Sequence, residues 1–253
     1  MRHVAGGAGG VGRGARRGVG GRAPGADLGR AEELALPDSR FHSAFSSFIP
    51  HFPGSEACAD RVGALESWIA AERVFITPDN STECLRRHAM AEGKPFLTTT
   101  FGIGRGFLRL DPTAVPTSER RHAAPLDGMD RCSTPVSLAE IARGPAVGCL
   151  VTGGSAVSAN GVRFGKGDGC FDLEWALLSE VGAVQADAQV VDEHLSGAGH
   201  DVPVDWIVTP TRAIRVADPQ RSPGRVRWEL LEGSPLATSP PLRALRIRQG
   251  RAG

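Results

Sequence analysis

Before Leu34 the chain holds almost no large apolar residue, and from Phe41 onward apolar positions gather in short, regularly spaced groups. Residues 1–37 are mostly Gly, Arg and Ala, and such a segment cannot bury enough surface to offset the entropy of ordering it. The pattern therefore predicts a disordered tail over 1–37, a domain over 38–246 and a loose end over 247–253. Apolar mass begins with Phe41, Phe45, Phe48, Ile49 and Phe52, broken by Pro50 and Pro53. Val62, Leu65 and Ile69 then recur at helical spacing and predict a helix over 59–71, with Ser55 as a candidate N-cap. Arg73–Thr77 reads as a short buried strand stopped by Pro78-Asp79. A helix over 81–92 ends at Gly93. Pro95–Thr100 predicts the next strand, and Gly102-x-Gly104-x-Gly106 a loop.

Residues 111–143 are Pro-rich and polar, with one short helix expected at 137–142. Ala146–Thr152 is a continuous apolar run, as a strand covered on both faces requires. Gly153-Gly154-Ser155 follows, and Val157 in place of a second glycine excludes a nucleophile elbow. Asn160-Gly161 between apolar residues predicts a hairpin over 157–164. A helix from about Asp172 to Val181, strands at 186–191 and 204–209, and a packed stretch over 223–246 complete the pattern. Strands alternating with helices predict one α/β domain, three layers deep, whose mostly parallel sheet is flanked by helices in a Rossmann-like arrangement.

Composition changes this picture little. Hydrophobic residues make up 41% and charged residues 23% of 253, an ordinary globular balance. A net charge of +1 gives no field favouring nucleic acid or membrane, and no apolar run reaches the ~18 residues of a membrane helix. The arginine-rich start lacks the apolar core of a secretory signal. It also fits an organelle transit segment, and that alternative stays open. Five cysteines (Cys58, Cys84, Cys132, Cys149, Cys170) are widely spaced with no C-x-x-C. They argue for a reducing compartment, with the cytoplasm as the expectation, and against a disulfide framework or thiolate zinc site. Gly7-x-Gly9-x-x-Gly12 matches a dinucleotide fingerprint but has no strand before it and no helix after it, so it is rejected.

The stretch richest in chemistry is Gly165-Lys166-Gly167-Asp168-Gly169-Cys170-Phe171-Asp172. Glycines let backbone N–H groups approach an anion with no Cβ in the way. A helix opening near Asp172 aims its positive end at the same spot, and Lys166 adds a mobile cation. These features describe a phosphate cradle; the plain alternative is a Gly-rich surface turn that binds nothing. Asp172 also reads as an N-cap, and His200-Asp201 as a loop turn.

This cradle, from Arg163 to Asp172, resembles the glycine-rich loop of the 5-formyltetrahydrofolate cyclo-ligase family (methenyltetrahydrofolate synthetase). Gln189 and His200-Asp201-Val202-Pro203-Val204-Asp205-Trp206-Ile207-Val208-Thr209 resemble the family's second block, in the family's order and separation. Pro53-Gly54-Ser55-Glu56 resembles its glutamate-bearing folate segment. Asp172-Leu173-Glu174, Ile49-Pro50-His51-Phe52 and Phe107–Pro112 are similar to a divergent branch of cyclo-ligase domain-containing proteins. The resemblance spans roughly residues 42–246. It implies ATP-dependent ring closure: ATP phosphorylates the formyl oxygen of 5-formyltetrahydrofolate, N10 attacks the activated carbon, and phosphate leaves.

By this resemblance Arg163, Gly165, Lys166, Gly167, Asp168, Gly169, Cys170 and Phe171 bind ATP, with Lys166 catalytic. Asp172 and Asp201 hold Mg²⁺, and Glu56 and Phe171 contact a small-molecule folate. A monomer is expected, with neither membrane nor nucleic acid as partner. The departures are Cys170-Phe171 for the family's paired tyrosines, Thr209-Pro210 for its threonine-glutamate, Asp168 inside a phosphate loop, and no basic first helix. They keep two rivals in view: a non-catalytic folate- or nucleotide-binding module, and an RNA-associated protein.

Overall fold

The computed structural model describes residues 35–36, 48–154, 156–157, 161–165, 169–192, 202–219 and 224–250. The stretch predicted as one helix over 59–71 forms two, α1 (Ser55–Gly63) and α2 (Glu66–Ala70). Gly54, at φ 94°, is the N-cap of α1 in place of Ser55, whose hydroxyl instead lies 3.3 Å from the His51 ring and 3.4 Å from Cys84 Sγ. A Cβ on Gly63 would lie 2.5 Å from His88 Nε2, so the glycine lets α1 close on the next long helix.

Next come β1 (Arg73–Ile76), a 3-10 turn at Asn80–Thr82, α3 (Glu83–Glu92) and β2 (Phe96–Thr99). The stretch over 107–136 holds β3 (Phe107–Leu110), α4 (Leu126–Cys132) and β4 (Thr134–Val136), none of them predicted, because such short elements show too little periodicity to be read. Then follow α5 (Leu138–Arg143), β5 (Val147–Val151), the antiparallel ribbon β6 (Ala156–Val157) and β7 (Arg163–Phe164), and α6 (Cys170–Glu180). The chain continues through β8 (Val184–Asp192), β9 (Trp206–Val208) and β10 (Ala213–Arg215) to α7 (Pro240–Arg248), which carries helix past residue 246.

The main sheet runs β10-β9-β8-β5-β1-β2-β3-β4. Its central strands β9, β8, β5, β1 and β2 are parallel; β10, β3 and β4 are antiparallel additions at the edges. Alternation along β1 divides the core. Phe75 joins the layer of α5, α6 and α7, while Val74 and Ile76 join the layer of α1, α2 and α3. The molecule is thus the α/β fold the pattern predicts, with helices on both faces of a central sheet. Among the described residues no helix is long and apolar enough to cross a membrane. None of the five cysteines is in a disulfide.

Candidate functional site

Connections after β1 and β5 leave in opposite directions, toward β2 on one side and β8 on the other. Between two such loops, at the carboxyl ends of parallel strands, an α/β sheet opens a crevice. Thr77 and Asp79 stand on one side and Thr152 and Gly153 on the other, and a cavity of about 50 Å³ is lined by Thr152, Gly153, Phe52 and Ser81. Thr77 Oγ1 donates to Asp79 Oδ2 at 2.6 Å, and the Gly153 amide donates to the same oxygen at 3.4 Å. One carboxylate thereby ties the two walls together. A Cβ on Gly153 would stand 2.2 Å from Ser81 Oγ, so a side chain here would have to displace the serine hydroxyl.

The wall after β1 is held from below by Arg86, which is fully buried. Its Nη1 donates to the carbonyls of Thr77 (2.7 Å) and Asp79 (2.9 Å), and its Nε to that of Ala124 (2.8 Å). The sequence reading missed Asp79, Arg86 and Gly153 as site residues. The available signal was a strand ending in Pro-Asp and another ending in Gly-Gly, but the order of strands that makes them neighbours was not readable.

On the other face of the sheet, the β5–α6–β8 crossover brings the N-terminus of α6 to this same carboxyl edge. Gly169, at φ 67°, is its N-cap, which places Asp172 one turn inside the helix. Asp172 Oδ1 accepts from the Val202 amide at 2.8 Å, and its Oδ2 lies 3.6 Å from Arg163 Nη2. The Arg163 guanidinium sits 4.9 Å above the Phe171 ring and is only 6% exposed. Arg163, Asp172 and the amide of Val202 thus converge across three separate segments. Glu174, buried two residues further on, accepts from Thr99 Oγ1 and locks α6 to the end of β2.

The other predicted residues distribute as follows. Gly165 is half-buried beside Arg163, where a Cβ would lie 2.7 Å from Nη1. Cys170 is half-buried at the first position of α6, and Phe171, 3% exposed, packs in the core with its centroid 6.5 Å from that of Phe75. Glu56 stands on the outer side of α1, where its carboxylate is 80% exposed and 3.6 Å from Arg87. Lys166, Gly167, Asp168 and Asp201 lie outside the described residues. Among the described residues no group of three or more His, Cys, Asp or Glu side chains is placed to hold a metal ion.

The model of the 5-formyltetrahydrofolate cyclo-ligase family matches residues 34–210. The chain belongs to this family. Its relatives include methenyltetrahydrofolate synthase domain-containing proteins. That of Bos taurus is 33% identical over 218 residues, covering 81% of this chain and 56% of that protein. That of Homo sapiens is 32% identical over 218 residues, with the same coverage. The chain thus spans little more than half the length of the curated relatives it matches. The NMR structure of Aquifex aeolicus 5,10-methenyltetrahydrofolate synthetase is similar with a TM-score of 0.44 and 16% identity, covering 78% of this chain and 93% of that one. The cyclo-ligase match includes the crevice loops, the glycine-rich loop, α6 and the residue 202–210 segment.

Proposed function

We propose that the chain closes 5-formyltetrahydrofolate to 5,10-methenyltetrahydrofolate at the expense of ATP. One observation carries the reading: Arg163, Asp172 and the Val202 amide meet at the N-terminus of the helix that follows the glycine-rich loop. In phosphoryl transfer the protein's work is mainly positioning and charge neutralisation. The backbone amides at the N-terminus of α6, with the backbone of Gly165 and Gly169, would hold phosphate oxygens. Arg163, pinned between the Phe171 ring and Asp172, would present its cation without losing much further side-chain freedom. Lys166, Gly167 and Asp168 would complete the loop.

Asp172 would be one ligand of the magnesium ion that the family implies. An ionised carboxylate has about four acceptor positions, and Asp172 spends one on Val202 N and faces Arg163 with its other oxygen. By the family resemblance Asp201 would be the second carboxylate on the same metal. Mg²⁺ bound there would supply neutralisation of phosphate charge. Folate contact by Glu56 requires its side chain to leave Arg87. The crevice residues Phe52, Asp79 and Ser81 are further candidates for that contact.

The test is the near-ultraviolet absorbance of methenyltetrahydrofolate during incubation with 5-formyltetrahydrofolate, ATP and Mg²⁺. Wild type is expected to form product, and Asp172→Ala to lose about a hundredfold or more in rate. Absence of product at high protein concentration refutes ring closure. Calorimetric binding of ATP or folate without turnover would then identify a non-catalytic binding module.

A further inference from the structure

At the opposite, amino edge of the parallel strands lies a groove of about 460 Å³ that the cyclo-ligase reading does not use. Three arginines line it: Arg73 at the start of β1, Arg109 on β3 and Arg143 at the end of α5. Arg73 is 6% exposed. Its Nη2 donates to the Ile141 carbonyl at 3.0 Å, which caps the end of α5, but its buried Nε has no partner among the described residues. Burial, and then the neighbouring Arg109, hold the Arg73 guanidinium below its usual pKa. Among the described residues no hydrogen bond or ion pair engages the side chains of Arg109 and Arg143.

Three carboxylates share the groove, and two are already committed. Asp111 accepts from the amide (2.9 Å) and hydroxyl (2.6 Å) of Thr113. Glu140 accepts from the amide of Ser137 at 2.8 Å and from its hydroxyl. Glu72 is the third. A buried guanidinium with an unmet donor, beside a second arginine that makes no hydrogen bond, is unfavourable unless an acceptor completes it. Arginine forks match the paired oxygens of carboxylates and phosphates. The volume falls within the roughly 300–1,000 Å³ of small-molecule sites, larger than a bare inorganic anion needs.

We propose that this groove is a second ligand site, which takes a small metabolite by its phosphate or carboxylate head on Arg73, Arg109 and Arg143. The rest of the ligand lies along Pro95, Pro135 and Val136, and its hydroxyl or amino donors face Glu72. The site is separate from the carboxyl-edge crevice and does not depend on the ring-closure reading.

The test is calorimetric titration of the full chain with inorganic phosphate, ribose 5-phosphate and glutarate at constant ionic strength. It uses wild type, the exposed-residue variants Arg109→Gln and Arg143→Gln, their double variant, and Asp172→Ala. Saturable binding of a phosphate or the dicarboxylate probe is expected, with the better binder naming the head group. The double variant is expected to weaken it about tenfold or more, each single variant less, and Asp172→Ala to leave it unchanged. No saturation below about 10 mM, undiminished binding in the double variant, or loss in Asp172→Ala would overturn the proposal.

Discussion

Ser81 and Gly153 come from connections 72 positions apart in the chain, yet a single methyl group on Gly153 would collide with the serine hydroxyl at 2.2 Å. Asp79 Cβ and Ile49 Cγ2 each stand 3.3 Å from the same point, so the added carbon has nowhere to move. Gly153→Ala is expected to lower stability by about 1–3 kcal/mol through overpacking. In a Ser81→Ala background most of that loss should disappear, because the nearest atom is gone. Urea denaturation of the two single variants and the double variant measures the coupling, and full additivity would contradict the contact. At this scale the sequence showed which residue types were chemically able, and Arg163 and Asp172 stood out as candidates because the glycines around them advertised a loop. Asp79 and Arg86 were not, since an aspartate in a turn and an arginine in a helix look the same whether buried or solvated.

Helices and strands were legible where their period ran long enough. The buried run of β5, the helix α3 stopping at Gly93 and the helix at 137–142 were read nearly in place. That last helix, α5, opens with a capping box: Ser137 Oγ accepts from the Glu140 amide, and the Glu140 carboxylate accepts from the Ser137 amide. These Ser137 bonds hold the Glu140 pKa below its ordinary 4.5. A carboxylate lowered on folding adds stability above its unfolded pKa and loses it as pH falls through the folded value. Ser137→Ala should therefore lower stability near neutrality, and its deficit should shrink as pH falls below 4.5. Thermal melts of both proteins between neutral and strongly acidic pH check this; a deficit that grows on acidification would reverse the sign and remove the capping-box account. The elements that escaped reading (β3, β4, β10 and α4) are short and lie at or near the sheet margins, where neighbours rather than propensity decide the conformation.

For the whole molecule, the central position of β5 between β1 and β8 makes it the strand least able to open alone. Cys149 on that strand is fully buried, and burial pushes its thiol up to about 12. Alkylation of Cys149 at neutral pH should then follow global unfolding, while the half-buried Cys132 and Cys170 react from locally open states. Mass-spectrometric labelling across a urea series tests this: a Cys149 rate independent of global stability would show that the sheet opens at its centre. The sequence by itself determined the α/β class, the buried central strands, the Gly-rich loop leading into a helix and membership of a recognisable family pattern, because each depends on residue order over a few turns. Only the tertiary structure decided that β1 and β5 are neighbours with diverging loops, that Asp172 reaches Val202 and Arg163, that Glu56 turns toward Arg87, and that three arginines share a groove at the far edge. Those facts rest on strand order and on which buried donors find acceptors, and both are settled by packing between segments distant in the chain.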